Sequence, residues 1–326
     1  MVNIARVLLT GIAVLVIALT NVLIVVYLER KVTGHMQWRL SMMRVGKHGV
    51  LQPIADALKL MLKEDIIPRK TDRFLFVLAP FLIFVPAYLL FTIIPISPGI
   101  FAKNLELGLF FFFAILTVMP ISYILAGWSS NSKYSLIGGL RSAAQQVSYE
   151  IPLLLATIGV VMISGSLNLI TIVHEQQGTI LGFLPKWFIF YQPFGFILFF
   201  IGILADLNRS PFDLPEAESE IVAGPFTEYS SMKYGLFMLA EYAALFVMSS
   251  MIVIMYFGGW NGPFLPPVVW FFIKTYMVVL FGIWIKATVP RLRIDQLMNL
   301  GWKTLLPASL LNIMVTGLLI LRAGPK

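Results

Sequence analysis

Apolar residues in this chain run in long unbroken stretches. The first covers about residues 4–28 and stops at Glu29-Arg30-Lys31, where three consecutive charges cannot stay in hydrocarbon. Others follow at about 74–96, 107–127, 151–166, 188–205, 234–257, 268–289 and 304–321. Each approaches the ~20 residues that a helix needs to cross ~30 Å of hydrocarbon. The pattern predicts an all-α, polytopic membrane protein with about eight transmembrane helices, a single integral membrane domain over 1–326. Pro80, Pro86, Pro120 and Pro152 fall inside or near span ends, where neighbouring groups can re-satisfy the backbone. A different period appears between Val50 and Glu64. Leu51, Ile54, Ala55, Leu58, Met61 and Leu62 recur at three- and four-residue spacing, opposite Gln52, Asp56, Lys59 and Lys63. This is an amphipathic helix lying in the membrane interface, either as a surface anchor or as the roof of a cavity entered from the bilayer.

Composition agrees with the pattern. At 59% hydrophobic and 12% charged residues, the chain is far from the soluble norm of about half apolar and a quarter charged. The formal charge of +8 resides in loops: 18 of the 24 Lys and Arg fall in 29–73, 128–150, 206–233 and 286–303. By the positive-inside rule those loops are cytoplasmic and both termini lie outside. The charge therefore needs membrane lipid as its setting and no nucleic acid. With no cysteine, the chain is expected to carry no disulfide, thiolate metal site or protein-ligated iron–sulfur cluster. The first apolar stretch is too long for a signal peptide and lacks a small-residue cleavage site, so it reads as a retained helix. There is no GxxxxGK[ST] or GxGxxG run for a nucleotide, and His35, His48 and His174 are too scattered for a metal site.

Acidic residues carry the candidate chemistry. The third cytoplasmic loop, Ala205 to Ser230, sets Asp206, Asp213, Glu216, Glu218, Glu220 and Glu228 around one arginine, Arg209. A solvated acidic loop would be rich in Ser and Lys; here Phe212, Leu214, Ile221, Val222 and Phe226 interleave, which predicts a folded loop. Carboxylates so wrapped are expected to have raised pKa values and to exchange protons near neutral pH. Glu150 stands at the start of the fourth span, after Gln145, Gln146 and Tyr149, as either an interfacial cap or a functional acid. Glu241 lies seven residues into the sixth span, about 10 Å deep, where an ionisable group is a functional candidate by default. These acids share one half of the membrane and suggest a single water-bearing path from loop to midplane.

Six segments, in order, carry a resemblance: YLERKVTGHMQ (27–37), LQPIADALKLMLKEDIIP (51–68), GWSSNSKYSLIGGLRSAAQQVSYEIP (127–152), RSPFDLPEAESEIVAG (209–224), FGGW (257–260) and PRLRIDQLMNLGWKTLLP (290–307). Collinear over nearly the whole chain, they resemble the quinone-site membrane subunit of proton-pumping NADH:quinone oxidoreductase, respiratory complex I. The resemblance implies a quinone tunnel shared with hydrophilic iron–sulfur and quinone-site subunits, with Glu29, Arg30, Arg39, Asp56 and Lys59 near it. It implies a proton-coupling funnel of Glu150, Asp206, Arg209, Asp213, Glu216, Glu218, Glu220, Glu228 and Glu241, leading to antiporter-like and small membrane subunits. Quinone is then the substrate, with no flavin, iron–sulfur cluster or metal on this chain, and the location is the bacterial cytoplasmic (inner) membrane.

Position 206 is Asp where the family usually has Glu, which shortens the acid by one methylene. Leu40, Ser41 and Met42 follow Arg39 where the family has a Gly-Pro turn. Homologous subunits of hydrogenase-type complexes use another electron donor, and a stand-alone antiporter would also need intramembrane acids. The interfacial helix and folded acidic loop favour the quinone-linked reading over the antiporter.

Overall fold

The structure is a computed structural model and describes residues 4–180, 184–214 and 222–323. Helix α1 (Ile4–Met36) leads to the interfacial helix α2 (Gln52–Leu62) and then α3 (Arg73–Phe91). The next crossing is made of α4 (Gly108–Leu116) and α5 (Met119–Ser129), which break at Thr117–Val118. Pro120 sits in the first turn of α5, where its missing N–H costs nothing. Helix α6 (Lys133–Ser164), the short α7 (Leu169–Glu175), a two-residue antiparallel pairing of 179–180 with 184–185, and α8 (Phe188–Tyr191) follow. They lead to α9 (Pro193–Asp206), α10 (Ser231–Tyr256), α11 (Pro267–Thr288), α12 (Ile294–Asn299), a π-helical segment at Leu300–Leu305, and α13 (Leu306–Ala323).

Among the described residues, seven helical units are long and apolar enough to span a bilayer, and α9 is a shorter apolar eighth. Hydrogen bonds between helix ends show how they alternate. At one end, Asp72 N–H donates to Ser129 O, Asn131 Nδ2 to Lys70 O, Ile66 N–H to Ser230 Oγ and Leu292 N–H to Pro211 O. At the other, Leu109 N–H donates to Leu167 O and Gln176 Nε2 to Ile254 O. The loops assigned to one side of the membrane from charge thus gather at one end of the bundle. Helix α10 is the central post, mostly buried, whereas the first and last spans are mostly exposed.

Two boundaries differ from the sequence expectation. Helix α1 continues through Glu29-Arg30-Lys31 to Met36, because ion pairs hold Glu29 and Arg30 and Lys31 donates to Met42 O at 2.7 Å. Helix α6 begins at Lys133, so most of the expected 128–150 loop is helical and Glu150 lies mid-helix, removing its reading as an N-terminal cap. Its polar face (Ser142, Gln145, Gln146) hides the periodicity, but those residues are buried against α9 and the turn after it. There Gly138 meets Gly224, and a Cβ on Gly138 would stand 2.6 Å from Gly224 Cα, so only glycine lets the acidic loop's end lie on α6.

Candidate functional site

The turn that ends α9 aims one cation into the bundle. Asn208 takes left-handed backbone angles (φ 50°), which Asn tolerates better than most residues. Asn208 N–H bonds to Ala205 O at 3.2 Å and Arg209 N–H to Leu204 O at 3.2 Å, the paired bonds of a Schellman stop. Asn208 Nδ2 donates to Ser142 Oγ (2.8 Å), while Gln145 Nε2 donates to Ala205 O (2.7 Å) and Phe212 O (2.8 Å) and Gln146 Nε2 to Asp206 O (3.0 Å). Three α6 side chains thereby clamp both ends of the turn.

Arg209, 2% exposed, reaches acids from two helices. Its Nη1 donates to Glu29 Oε2 of α1 at 2.6 Å, and its Nη2 makes an ionic contact with Glu241 Oε1 of α10 at 3.1 Å, without hydrogen-bond alignment. The guanidinium also lies over the Tyr242 ring, 5.1 Å from its centre. Burial works against the Arg209 charge, but Glu29 and Glu241 outweigh it and raise its pKa further. Lys286 of α11 donates to the other Glu29 oxygen at 2.7 Å. Nearby, Arg291 Nη2 donates to Asp213 Oδ2 at 2.9 Å. Burial pushes the Asp213 carboxyl above its ordinary value despite the pull of Arg291 and Lys286.

A second pair of acids lies alongside. Asp206 is buried at the end of α9, and its charge interacts with that of Glu150 on α6. Gln145 Oε1, Gln146 Oε1, Glu150 Oε1, Asn208 Oδ1, Arg209 Nε and Asp213 Oδ1 are buried without a hydrogen-bond partner among the described residues. Polar atoms at such depth require water or a polar ligand. Among the described residues, no group of three or more His, Asp or Glu side chains is placed to hold a metal.

The expected residues thus separate into groups. Glu29, Arg209, Glu241 and Asp213 form one network, so Glu29 joins the charge cluster. Arg30 pairs with Asp56 of α2, which also accepts from Gln52 Nε2 at 3.0 Å. Burial raises the Asp56 pKa, but the bonds from Gln52 and Arg30 outweigh it and hold the acid low. Lys59 is exposed on α2. Arg39 is exposed in the turn after α1, its N–H bonded to Gly34 O at 3.0 Å. Glu228 is half-buried near the start of α10. Glu216, Glu218 and Glu220 lie outside the described residues. Sequence reasoning missed Lys286 and Arg291: their positions look like an ordinary basic flank, and only α11's approach to α1 and to the acidic turn gives them acids.

Helix α2 presents its stripes in reverse of a soluble protein. Leu51, Leu58 and Met61 are more than half exposed, whereas Asp56 turns inward to Arg30. That is the arrangement of a helix whose apolar face meets lipid or another polypeptide.

The family model described as NADH dehydrogenase matches residues 9–317. The chain is 48% identical over 305 residues to the H subunit of NADH-quinone oxidoreductase from Dehalococcoides mccartyi, covering 94% of this chain and 84% of that one. It is 47% identical to the H subunit numbered 2 of NADH-quinone oxidoreductase from Geobacter metallireducens, covering 94% and 93%. Identity to the corresponding protein of Bacillus cytotoxicus is 49%, covering 89% and 87%. With a match that runs from the first span to the last, this membrane protein belongs to the NADH dehydrogenase family.

Proposed function

We propose that the chain is the quinone-site membrane subunit of a proton-translocating NADH-quinone oxidoreductase, an integral membrane domain that helps to form the quinone tunnel and couples quinone reduction to proton movement. The observation that carries this reading is the buried network in which one arginine, Arg209, contacts Glu29 on α1 and Glu241 on α10 together. Reducing a quinone to a quinol takes two electrons and two protons; the electrons come from a partner's iron–sulfur cluster. The Arg30–Asp56 pair and exposed Arg39 stand on the tunnel side, with Glu29 between them and Arg209. When a nearby proton donor is left as an anion, the network answers by redistributing protons. A proton taken up from water by Glu241 frees one arm of Arg209, which then leans on Glu29. The guanidinium's turn is clamped by Gln145 and Gln146, so this exchange reaches Asp206 and Glu150, and the acids beyond the described residues (Glu216, Glu218, Glu220) extend the path with Glu228.

In this reading the Arg209 end faces the cytoplasm of a bacterium and both termini lie outside. The segment after α1, with Trp38 98% exposed and Leu40 86% exposed, meets the hydrophilic iron–sulfur and quinone-site subunits. Some of the exposed helix faces meet antiporter-like and small membrane subunits, and the others face lipid. Exposed Trp38 and Leu40, which lie outside the helices, favour membership of a complex over a stand-alone antiporter. A hydrogenase-type complex would differ in the electron donor, which binds elsewhere.

Mild solubilisation should bring iron–sulfur subunits down with this chain. In that complex Arg39→Ala should lower quinone reduction while leaving transfer to a water-soluble acceptor intact. A chain that purifies alone, or equal loss of both activities at normal assembly, would reject the assignment. Accessibility reporters at 135 and 262 should report opposite sides, with 135 cytoplasmic.

A further inference from the structure

A cavity of about 260 Å³ opens on the side of the bundle at the end opposite the charge cluster. Ala13, Val14 and Ile17 of α1 form one wall, Ile94 and Ile96 after α3 face them, and Phe246 of α10 borders it. Among the described residues, Thr10 supplies the one polar side chain in the lining. The wall residues lie roughly 3–14 Å along α1 from Leu8, at 1.5 Å per residue, and so within one leaflet's hydrocarbon. Tyr88 Oη donates to Gly11 O at 2.6 Å, pinning α1 to α3 beside the cavity.

Occupants can be separated by chemistry. Water needs two to four polar partners, and this lining is predominantly apolar. A quinone head group lacks hydrogen-bond donors for the same reason. A transmembrane helix, about 10 Å across, is too broad. The volume is roughly nine times the ~30 Å³ that one water takes up in the liquid, room for a stretch of one hydrocarbon chain. The cavity is also continuous with a lipid-facing stripe: Leu8, Leu9, Ile12 and Val16 on the same helix are each more than half exposed. Exposed Lys103, beside the lining residue Ala102, would suit a phosphate, but Glu106 is exposed three residues on, so the hydrocarbon carries the recognition.

We infer that this cavity holds one acyl chain of a phospholipid from the adjoining leaflet. An unfilled apolar void forfeits dispersion contacts along its whole lining. The chain restores them and steadies α1, whose other end carries Glu29.

The intact complex, in native membranes, is labelled with phosphatidylethanolamine bearing a diazirine near the end of its acyl chain, or with a diazirine on the tail of an isoprenoid quinone analogue. After detergent washing, the phospholipid probe should crosslink to Ala13, Ile17 and Ile96 severalfold more than to Met314 and Leu318, lipid-exposed residues of α13. Ala13→Phe should remove that excess and leave labelling of α13 unchanged. Ala13→Met, a milder filling, should lower it partially and keeps the test open if the larger side chain prevents assembly. Equal yields at both surfaces, insensitivity to both substitutions, or labelling by the quinone analogue alone would overturn the assignment.

Discussion

Among the described residues two cations are buried, and they are satisfied in opposite ways. At one end Arg209 is met by the carboxylates of Glu29 and Glu241, with Lys286 on the far side of Glu29. At the other end Lys274 of α11 donates to three carbonyls, Phe257 O at 2.8 Å, Gly259 O at 3.1 Å and Asn261 O at 2.6 Å. Its ammonium also lies 4.6 Å from the centre of the Trp187 ring. Gly258 and Gly259, both at positive φ, curl the 257–261 turn around it. Every donor of Lys274 is used, and every partner is neutral and cannot titrate. The Arg209 site holds several acids within reach of one another and leaves polar atoms open. Lys274 thus has no acid partner with which to exchange a proton, whereas Arg209 brings two carboxylates together; under the proposed function the Arg209 network is the one that changes state.

The most damaging change tests whether Arg209 is required to hold the acids at all. Arg209→Met leaves Glu29 and Glu241 without their shared cation and should cost about 3–5 kcal/mol, enough to prevent stable assembly on native gels. Adding Glu241→Gln should recover part of the assembled amount. If Arg209→Met assembles and melts like the parent, the charge network does not hold the fold.

Lys274→Met should come next, at about 3 kcal/mol, because three carbonyls lose their donor. Thermal unfolding should register the loss. Turnover per assembled complex and its pH profile should stay those of the parent, and a shifted profile would erase the distinction between the two ends.

Glu241→Gln keeps size and hydrogen-bonding capacity but cannot ionise. Quinone-coupled pumping should fall about tenfold, out of proportion to any change in assembly. Asp206→Glu, which keeps an ionisable carboxyl, should be tolerated. Full pumping by assembled Glu241→Gln complexes would end the relay.

The mildest change belongs to the Arg30–Asp56 pair at the membrane surface. Folding holds the Asp56 pKa low, so the acid's contribution is present above the ordinary Asp range and is lost as pH falls through the folded value. Asp56→Asn should cost less than about 1 kcal/mol. The difference in melting temperature should be level from about pH 8 to 5 and close below about pH 4.

Long apolar runs made the spans legible, because hydrocarbon accepts few charges and imposes a minimum length. Loop charges likewise sorted the segments into two groups, and the end-to-end hydrogen bonds reproduce that sorting. The 50–64 pattern was legible because interfacial helices keep a two-faced period. Failures came where polar residues are buried against protein. Glu29-Arg30-Lys31 read as a stop, and Gln145 and Gln146 as loop, because local sequence does not reveal which distant groups will satisfy them.

The helical membrane class, the alternation of spans, the interfacial helix and the family all follow from the order of residues alone. Each of these rests on local hydropathy, charge side or contiguous motif. Packing was needed to bring Glu29 and Glu241, more than two hundred residues apart, onto Arg209, and to set Lys286 against the first of them. Packing also gave Lys274 its cage of carbonyls. The reason is physical: burying a charge is costly unless a partner meets it, and the partners here come from helices that pack together only in the finished bundle.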